Sequence, residues 1–187
     1  MCTSNCSYLG INYSIQNGPK LDGGFVPFGV WRKAFLSEAK NPFSIAVERE
    51  NGKITVLHTF IRDDSFAEAN YRYAERTVKF LLWSVGGFKV YLCGDEAVTA
   101  RIQKAYTPEG ERAFDVQFMQ DVYERPFEVL TVSEENFPEA NETAVAAGGH
   151  MEGCRIGFDA GGSDRKVSAV IDGVPVYSEE VVWPLRF

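Results

Sequence analysis

Phe43-Ser-Ile-Ala-Val-Glu-Arg49, then Glu50-Asn51-Gly52, then Lys53-Ile-Thr-Val-Leu-His-Thr-Phe-Ile61 reads as two strands joined by one tight turn. Asn-Gly is the pair that best tolerates the positive backbone angles of a two-strand hairpin, and the flanking runs are rich in β-branched residues. Immediately downstream, Ser65-Phe-Ala-Glu68 has the form of a capping box, in which a hydroxyl and a carboxylate satisfy amides at a helix start. The helix it predicts runs to about Ser84, ends at Gly86-Gly87, and puts Phe66, Ala69, Tyr73, Val78, Leu81, Leu82 and Val85 at three-and-four spacing on a core face. Phe88 to Cys93 predicts a strand, and Gly94-Asp95 opens a helix carrying Val98, Ile102 and Tyr106. Helix amides at such a junction can hold an anion, but Asp95 and Glu96 already supply negative charge there, so the junction is read as a cap. A further helix over Arg112 to Tyr123 and a strand over Phe127 to Val132 complete the unit. The order implies an α/β fold, a mixed sheet with flanking helices and at least some parallel pairing.

The chain has 187 residues, 45% of them hydrophobic, enough for one good core or for one core plus an appended segment. Lys and Arg number 19 against 26 Asp and Glu, and the net charge of -7 argues against sequence-independent attraction to nucleic acid or to anionic lipid. The longest apolar run, Phe80 to Val85, is far short of the roughly 20 residues that span a bilayer. No basic head followed by an apolar stretch opens the chain, so a cytoplasmic location is expected. Cys2, Cys6, Cys93 and Cys154 are too scattered for a disulfide framework and are expected as thiols. Cys2 and Cys6, with His150 and Cys154, have the spacing of zinc ligands, although terminal thiols and a loop histidine are the simpler reading.

Four segments are expected. Residues 1–30, rich in Asn, Ser, Gly and Pro, read as an irregular arm with at most a short strand around Tyr8 to Tyr13. Residues 31–132 are the α/β accessory domain, and the acidic, then small and glycine-bearing stretch over 133–153 reads as a linker. Residues 154–187 form a short antiparallel β segment.

That last segment carries the candidate chemistry. Arg155-Ile-Gly-Phe-Asp159 is a strand ending in a carboxylate, Ala160-Gly161-Gly162-Ser163 a turn, Lys166 to Ile171 the returning strand, and Asp172-Gly173 a second turn. Gly161 and Gly162 let backbone amides approach a polyphosphate closely, and Ser163 adds a hydroxyl donor. Asp159 is placed to hold a hydrated magnesium ion against the same phosphates. Arg165 and Lys166 can offset the charge of Asp164, although on alternating faces of a strand only one of them points inward.

These residues resemble the first phosphate motif of the sugar kinase, Hsp70 and actin superfamily, and within it the ROK family of bacterial sugar kinases and regulators. Asp159, Gly161, Gly162 and Asp172-Gly173 match the family pattern, Ser163 stands for its threonine, and Asp164 departs from it. The stretch Glu68 to Trp83 also looks like an accessory region that precedes the kinase-like core in some ROK-like proteins. The resemblance implies the start of an actin-like ATPase domain, ATP and magnesium as cofactors of a longer protein, and a carbohydrate as its substrate. It implies contacts from Asp159, Gly161, Gly162, Ser163, Arg165 and Lys166, with Asp159 on the metal.

ROK kinases take the proton from a sugar hydroxyl with a downstream aspartate, and no aspartate follows Asp172. No catalytic residue is assigned. The expectation is an amino-terminal, truncated portion of such a kinase or regulator, not competent alone. The competing reading is a non-enzymatic binding or assembly module whose glycine turn is only structural. Ser178 to Phe187 should be a third strand, ended by Pro184, and residues 174–187 are expected to mediate self-association or meet a missing carboxyl-terminal lobe. His58 and His150 read as structural or solvated, and Asp95 and Glu96 as surface.

Overall fold

The computed structural model describes residues 3–143 and 148–184. The chain divides into two units, Met1–Thr143 and Ala144–Phe187.

In the first unit, β1 (Thr3–Tyr8) and β2 (Ile11–Gln16) form an antiparallel hairpin, turned at Leu9 and Gly10, both with positive φ. The irregular arm expected over residues 1–30 is corrected on this point. Ile11, Tyr13 and Ile15 are buried while Asn12, Ser14 and Gln16 are exposed. The polar residues that made this stretch read as a loop are the outward half of a strand with period two. A two-stranded ribbon is marginal by itself. Here α1 (Phe28–Leu36) covers it, with Trp31 fully buried and its indole N–H donating to the Tyr8 carbonyl at 3.0 Å.

Next, β3 (Asn41–Arg49) and β4 (Lys53–Ile61) pair antiparallel from Asn41↔Ile61 to Arg49↔Lys53. The expected turn forms, with φ of 59° at Asn51 and 65° at Gly52. The long helix, α2 (Ala67–Val85), begins differently from expectation. A 3-10 turn at Asp64–Phe66 carries the helix start back by a residue or two, so Asp63 becomes the cap and its carboxylate accepts from Ser65 N at 3.0 Å. Glu68 is thereby free to bind Arg101 through two contacts of 2.8 and 3.1 Å, and the capping box does not form.

The remaining elements are β5 (Lys89–Cys93), α3 (Glu96–Ala105), α4 (Ala113–Tyr123) and β6 (Glu128–Thr131). Asp95 caps α3, accepting from Val98 N at 2.8 Å. The sheet order is β4-β3-β5-β6, with β5 and β6 parallel and the other pairs antiparallel. Ile45 and Val47 of β3, with Val90 and Leu92 of β5, join Ala69, Tyr73, Val78, Leu81 and Leu82 of α2 in the core. Residues 133–142, read from the sequence as the start of a linker, instead return to this sheet. Asn141 exchanges backbone bonds with Ile54 (2.9 and 3.2 Å), and the Glu142 carboxylate accepts from Arg49 and Thr55.

Where α2 meets α4, Arg112 Nε donates to the buried Glu75 carboxylate at 2.5 Å, and Asp115 accepts from Trp83 Nε1 at 2.5 Å. Tyr106 is buried beside this network, and its hydroxyl meets no partner among the described residues. Burial raises its pKa well above the ordinary phenol value, with the charges of Glu75 and Asp115 adding to the effect. An unpaired buried hydroxyl carries a desolvation cost of about 1–3 kcal/mol. Tyr106→Phe is therefore expected to leave stability unchanged or raise it by about 1 kcal/mol, read as a shift of the denaturant midpoint. A loss of that size would instead mean that the hydroxyl is bonded in solution.

The second unit is an antiparallel meander in the order β7-β8-β9, of β7 (Cys154–Ala160), β8 (Asp164–Ile171) and β9 (Val174–Val182). Asp172 and Gly173 supply the second turn with φ of 48° and 78°. Among the described residues no helix is long and apolar enough to cross a membrane.

Candidate functional site at the glycine turn

The register of the meander decides which of the candidate side chains can act together. Asp159 lies directly opposite Lys166, and Lys166 opposite Glu180, so these three share one face. Asp164, two residues before Lys166, projects to the same side. Lys166 Nζ lies 3.5 Å from Asp164 and 3.6 Å from Glu180. The Asp164 carboxylate, then Glu180 and more weakly Asp159, raise the ammonium pKa above its usual value. Three carboxylates around one ammonium leave this face negative. A concavity of about 480 Å³ follows it, lined by Asp159, Lys166 and Glu180 together with Gly157, Ser168 and Ser178.

Arg165 does not join them. It pairs with Ala160 and Val181 on the opposite face and approaches Glu179 at 3.4 Å. Successive strand residues point to opposite sides, so Arg165 is not a contact of this face, and Lys166 is the inward cation.

The turn is built around a residue that sequence reasoning missed in this role. Trp183 donates its indole N–H to the Gly162 carbonyl at 2.8 Å and its backbone N–H to the Ser163 carbonyl at 3.0 Å. The turn's carbonyls are thus drawn toward the end of β9, while the amides of Gly161, Gly162 and Ser163 find no acceptor among the described residues. A β-carbon at Gly161 would sit 3.0 Å from both the carbonyl and the carboxylate oxygen of Asp164, a tight approach that a larger residue could make only if Asp164 shifted. The legible signal for Trp183 was only that an indole N–H beside a turn seeks an acceptor. Leu185 and Phe187, expected to extend this strand's apolar character, lie outside the described residues.

The donors bear on whether magnesium and a polyphosphate fit. Free amides at the turn suit phosphate oxygens. The carboxylates of Asp159 and Asp164 oppose a bare polyphosphate and suit one that arrives with a hard cation. Among the described residues no three His, Cys, Asp or Glu side chains converge to hold a metal ion. Of the residues with zinc-ligand spacing, Cys2 lies outside the described residues, and Cys6 and Cys154 belong to different units.

The chain matches no protein-family model, no curated protein and no solved structure.

Proposed function

We propose that residues 154–184 are the phosphate-holding start of a nucleotide-binding lobe of the ROK kind, part of an ATP-dependent sugar kinase or regulator. The observation that supports it most is the turn itself, whose Gly162 and Ser163 carbonyls are tied to Trp183 while the amides of Gly161, Gly162 and Ser163 have no acceptor among the described residues. The ligand of such a turn is magnesium-bound ATP rather than free ATP, because Asp159, Asp164 and Glu180 outnumber Lys166 on the adjoining face. Asp159 would share the magnesium, and the turn amides with Ser163 would bear on the phosphates. No phosphotransfer step is assigned to these residues.

Titration of the chain with magnesium-ATP, followed by backbone amide signals, is expected to shift Gly161, Gly162 and Ser163. ATP with a chelator, or the Asp159→Asn variant with magnesium-ATP, should shift them weakly or not at all. Unchanged signals with magnesium-ATP would sink the reading.

A second reading, a binding or assembly module with a purely structural turn, is favoured by the opposite face of the meander. Ile156 and Phe158 there are 78% and 65% exposed, beside Tyr177 and Val174. Contiguous exposed apolar side chains mark surfaces that bury against something. Self-association that survives Asp159→Asn and is lost in Phe158→Glu would favour this reading.

A further inference from the structure

The first unit contains a cavity unrelated to the glycine turn. On the sheet face opposite to Ile45 and Val47, residues 133–142 form a strap fastened at both ends. Val132 N donates to the Leu92 carbonyl at 2.9 Å, and the Asn141 side chain donates to the Gly52 carbonyl at 2.7 Å. A 3-10 turn between them, with Phe137 N donating to the Glu134 carbonyl at 3.3 Å, lifts the strap off the strands. The space left beneath measures about 690 Å³, within the size range of small-molecule sites.

Its floor is a row of polar side chains across three strands, since Ser44 lies directly between His58 and Cys93 in the register. The Ser44 hydroxyl is hydrogen-bonded to His58 Nδ1 at 2.9 Å, which fixes the imidazole. Phe137 packs over that ring, with centroids 5.9 Å apart, and Pro42, Val56 and Pro138 supply the remaining apolar wall. Glu134, Glu135 and Glu139 stand at the rim. None of the three meets a cation among the described residues, and no lysine or arginine lines the cavity. Burial, with the charge of Glu134 behind it, raises the Cys93 thiol pKa, so the thiol stays protonated and is no activated nucleophile.

We infer that this cavity binds a small organic cation with a flat apolar body, of the aralkylamine class. The body lies between Phe137 and the wall of Pro42 and Val56, and the ammonium meets the carboxylates of Glu134 and Glu135. The imidazole of His58 serves as a fixed polar contact. Because the strap is held at both ends, little ordering accompanies binding.

The probe is phenethylamine, titrated into the full chain and followed by the ring signals of His58 and Phe137. Saturable shifts of both are expected. The uncharged 2-phenylethanol should bind about tenfold more weakly, and Glu134→Gln with Glu135→Gln should weaken the amine by about tenfold while leaving the alcohol unchanged, as two exposed charge contacts would. The two glutamates are exposed, so the variant keeps its fold, which amide signals of β3 to β5 verify. The proposal is overturned if phenethylamine leaves both rings unshifted, if amine and alcohol bind alike, or if the double variant binds the amine as the parent does. None of these outcomes bears on magnesium-ATP, which is read at amides of the other unit.

Discussion

Glu75→Ala is expected to destabilise the first unit by about 3–5 kcal/mol, the cost of leaving one partner of a buried ion pair alone. Glu75 is 1% exposed and accepts from Arg112 Nε, whose side chain is itself only 14% exposed. The other carboxylate near Arg112, Glu111, lies 3.7 Å away and is 59% exposed, so it compensates little. The guanidinium would remain where α2 meets the start of α4, largely buried and with only the exposed Glu111 carboxylate near it. For a domain of ordinary stability, about 5–15 kcal/mol in total, this is a large fraction, and the urea midpoint should fall accordingly. The pair is not expected to be worth that amount in itself. Replacing both residues by apolar side chains, Glu75→Leu with Arg112→Met, should recover most of the loss. A single-variant cost below about 1 kcal/mol would show that Arg112 swings out to solvent instead.

Trp31→Ala is expected to cost about 3–5 kcal/mol and to release the N-terminal hairpin. Trp31 is the joint between that hairpin and the rest of the unit. Its ring stacks on Phe28 at 5.6 Å and on Phe35 at 5.3 Å, and Phe35 stacks on Tyr73 of α2 at 4.7 Å. Its indole N–H meets the last carbonyl of β1. A two-stranded ribbon that loses its cover has no independent stability. Amide hydrogen exchange should therefore accelerate at Ile11, Tyr13 and Ile15 far more than in β3 to β5. Trp31→Phe, which keeps the stack and loses the hydrogen bond, should fall between the parent and alanine. Equal protection of the hairpin in Trp31→Ala would overturn the assignment of Trp31 as the joint.

That hairpin also illustrates what limited the reading of the sequence. Gly18, Pro19, Gly23 and Gly24 are genuine breakers, yet they lie after β2, and their composition spread the impression of irregularity over the whole arm. The alternation Ile11, Tyr13, Ile15 was present but short, and its burial depends on Trp31, which lies more than ten residues away. The capping box failed for a related reason. Ser65 and Glu68 have the right spacing, but Asp63 competes for the same amides and Arg101, on another helix, competes for Glu68. At the glycine turn the candidate residues were all legible, and the alternation rule already limited Arg165 and Lys166 to one inward cation. Which of the two it is depends on the register of β8 with β7, which sets Lys166 opposite Asp159, and the Trp183 latch depends on the pairing of β8 with β9. The strap escaped notice because Ser133 to Asn141 has no periodicity. Its order comes from single contacts such as Asn141 with Ile54.

The sequence by itself determined the features that need only local physics. Asn51-Gly52 and Asp172-Gly173 accept left-handed backbone angles, Asp95 caps the helix after Gly94, and three-and-four spacing marks the buried face of α2. From these came an α/β unit with flanking helices and, after it, a β hairpin with a glycine turn. Tertiary structure alone decided the sheet order β4-β3-β5-β6 with its one parallel pair, the attachment of the hairpin through Trp31, the path of residues 133–142, and the gathering of Asp159, Asp164, Lys166 and Glu180 on one face. Each of these joins residues distant in the chain. Such contacts form only when the packing energy of a whole layer exceeds the entropy of closing the loops between them, and no local pattern records that balance.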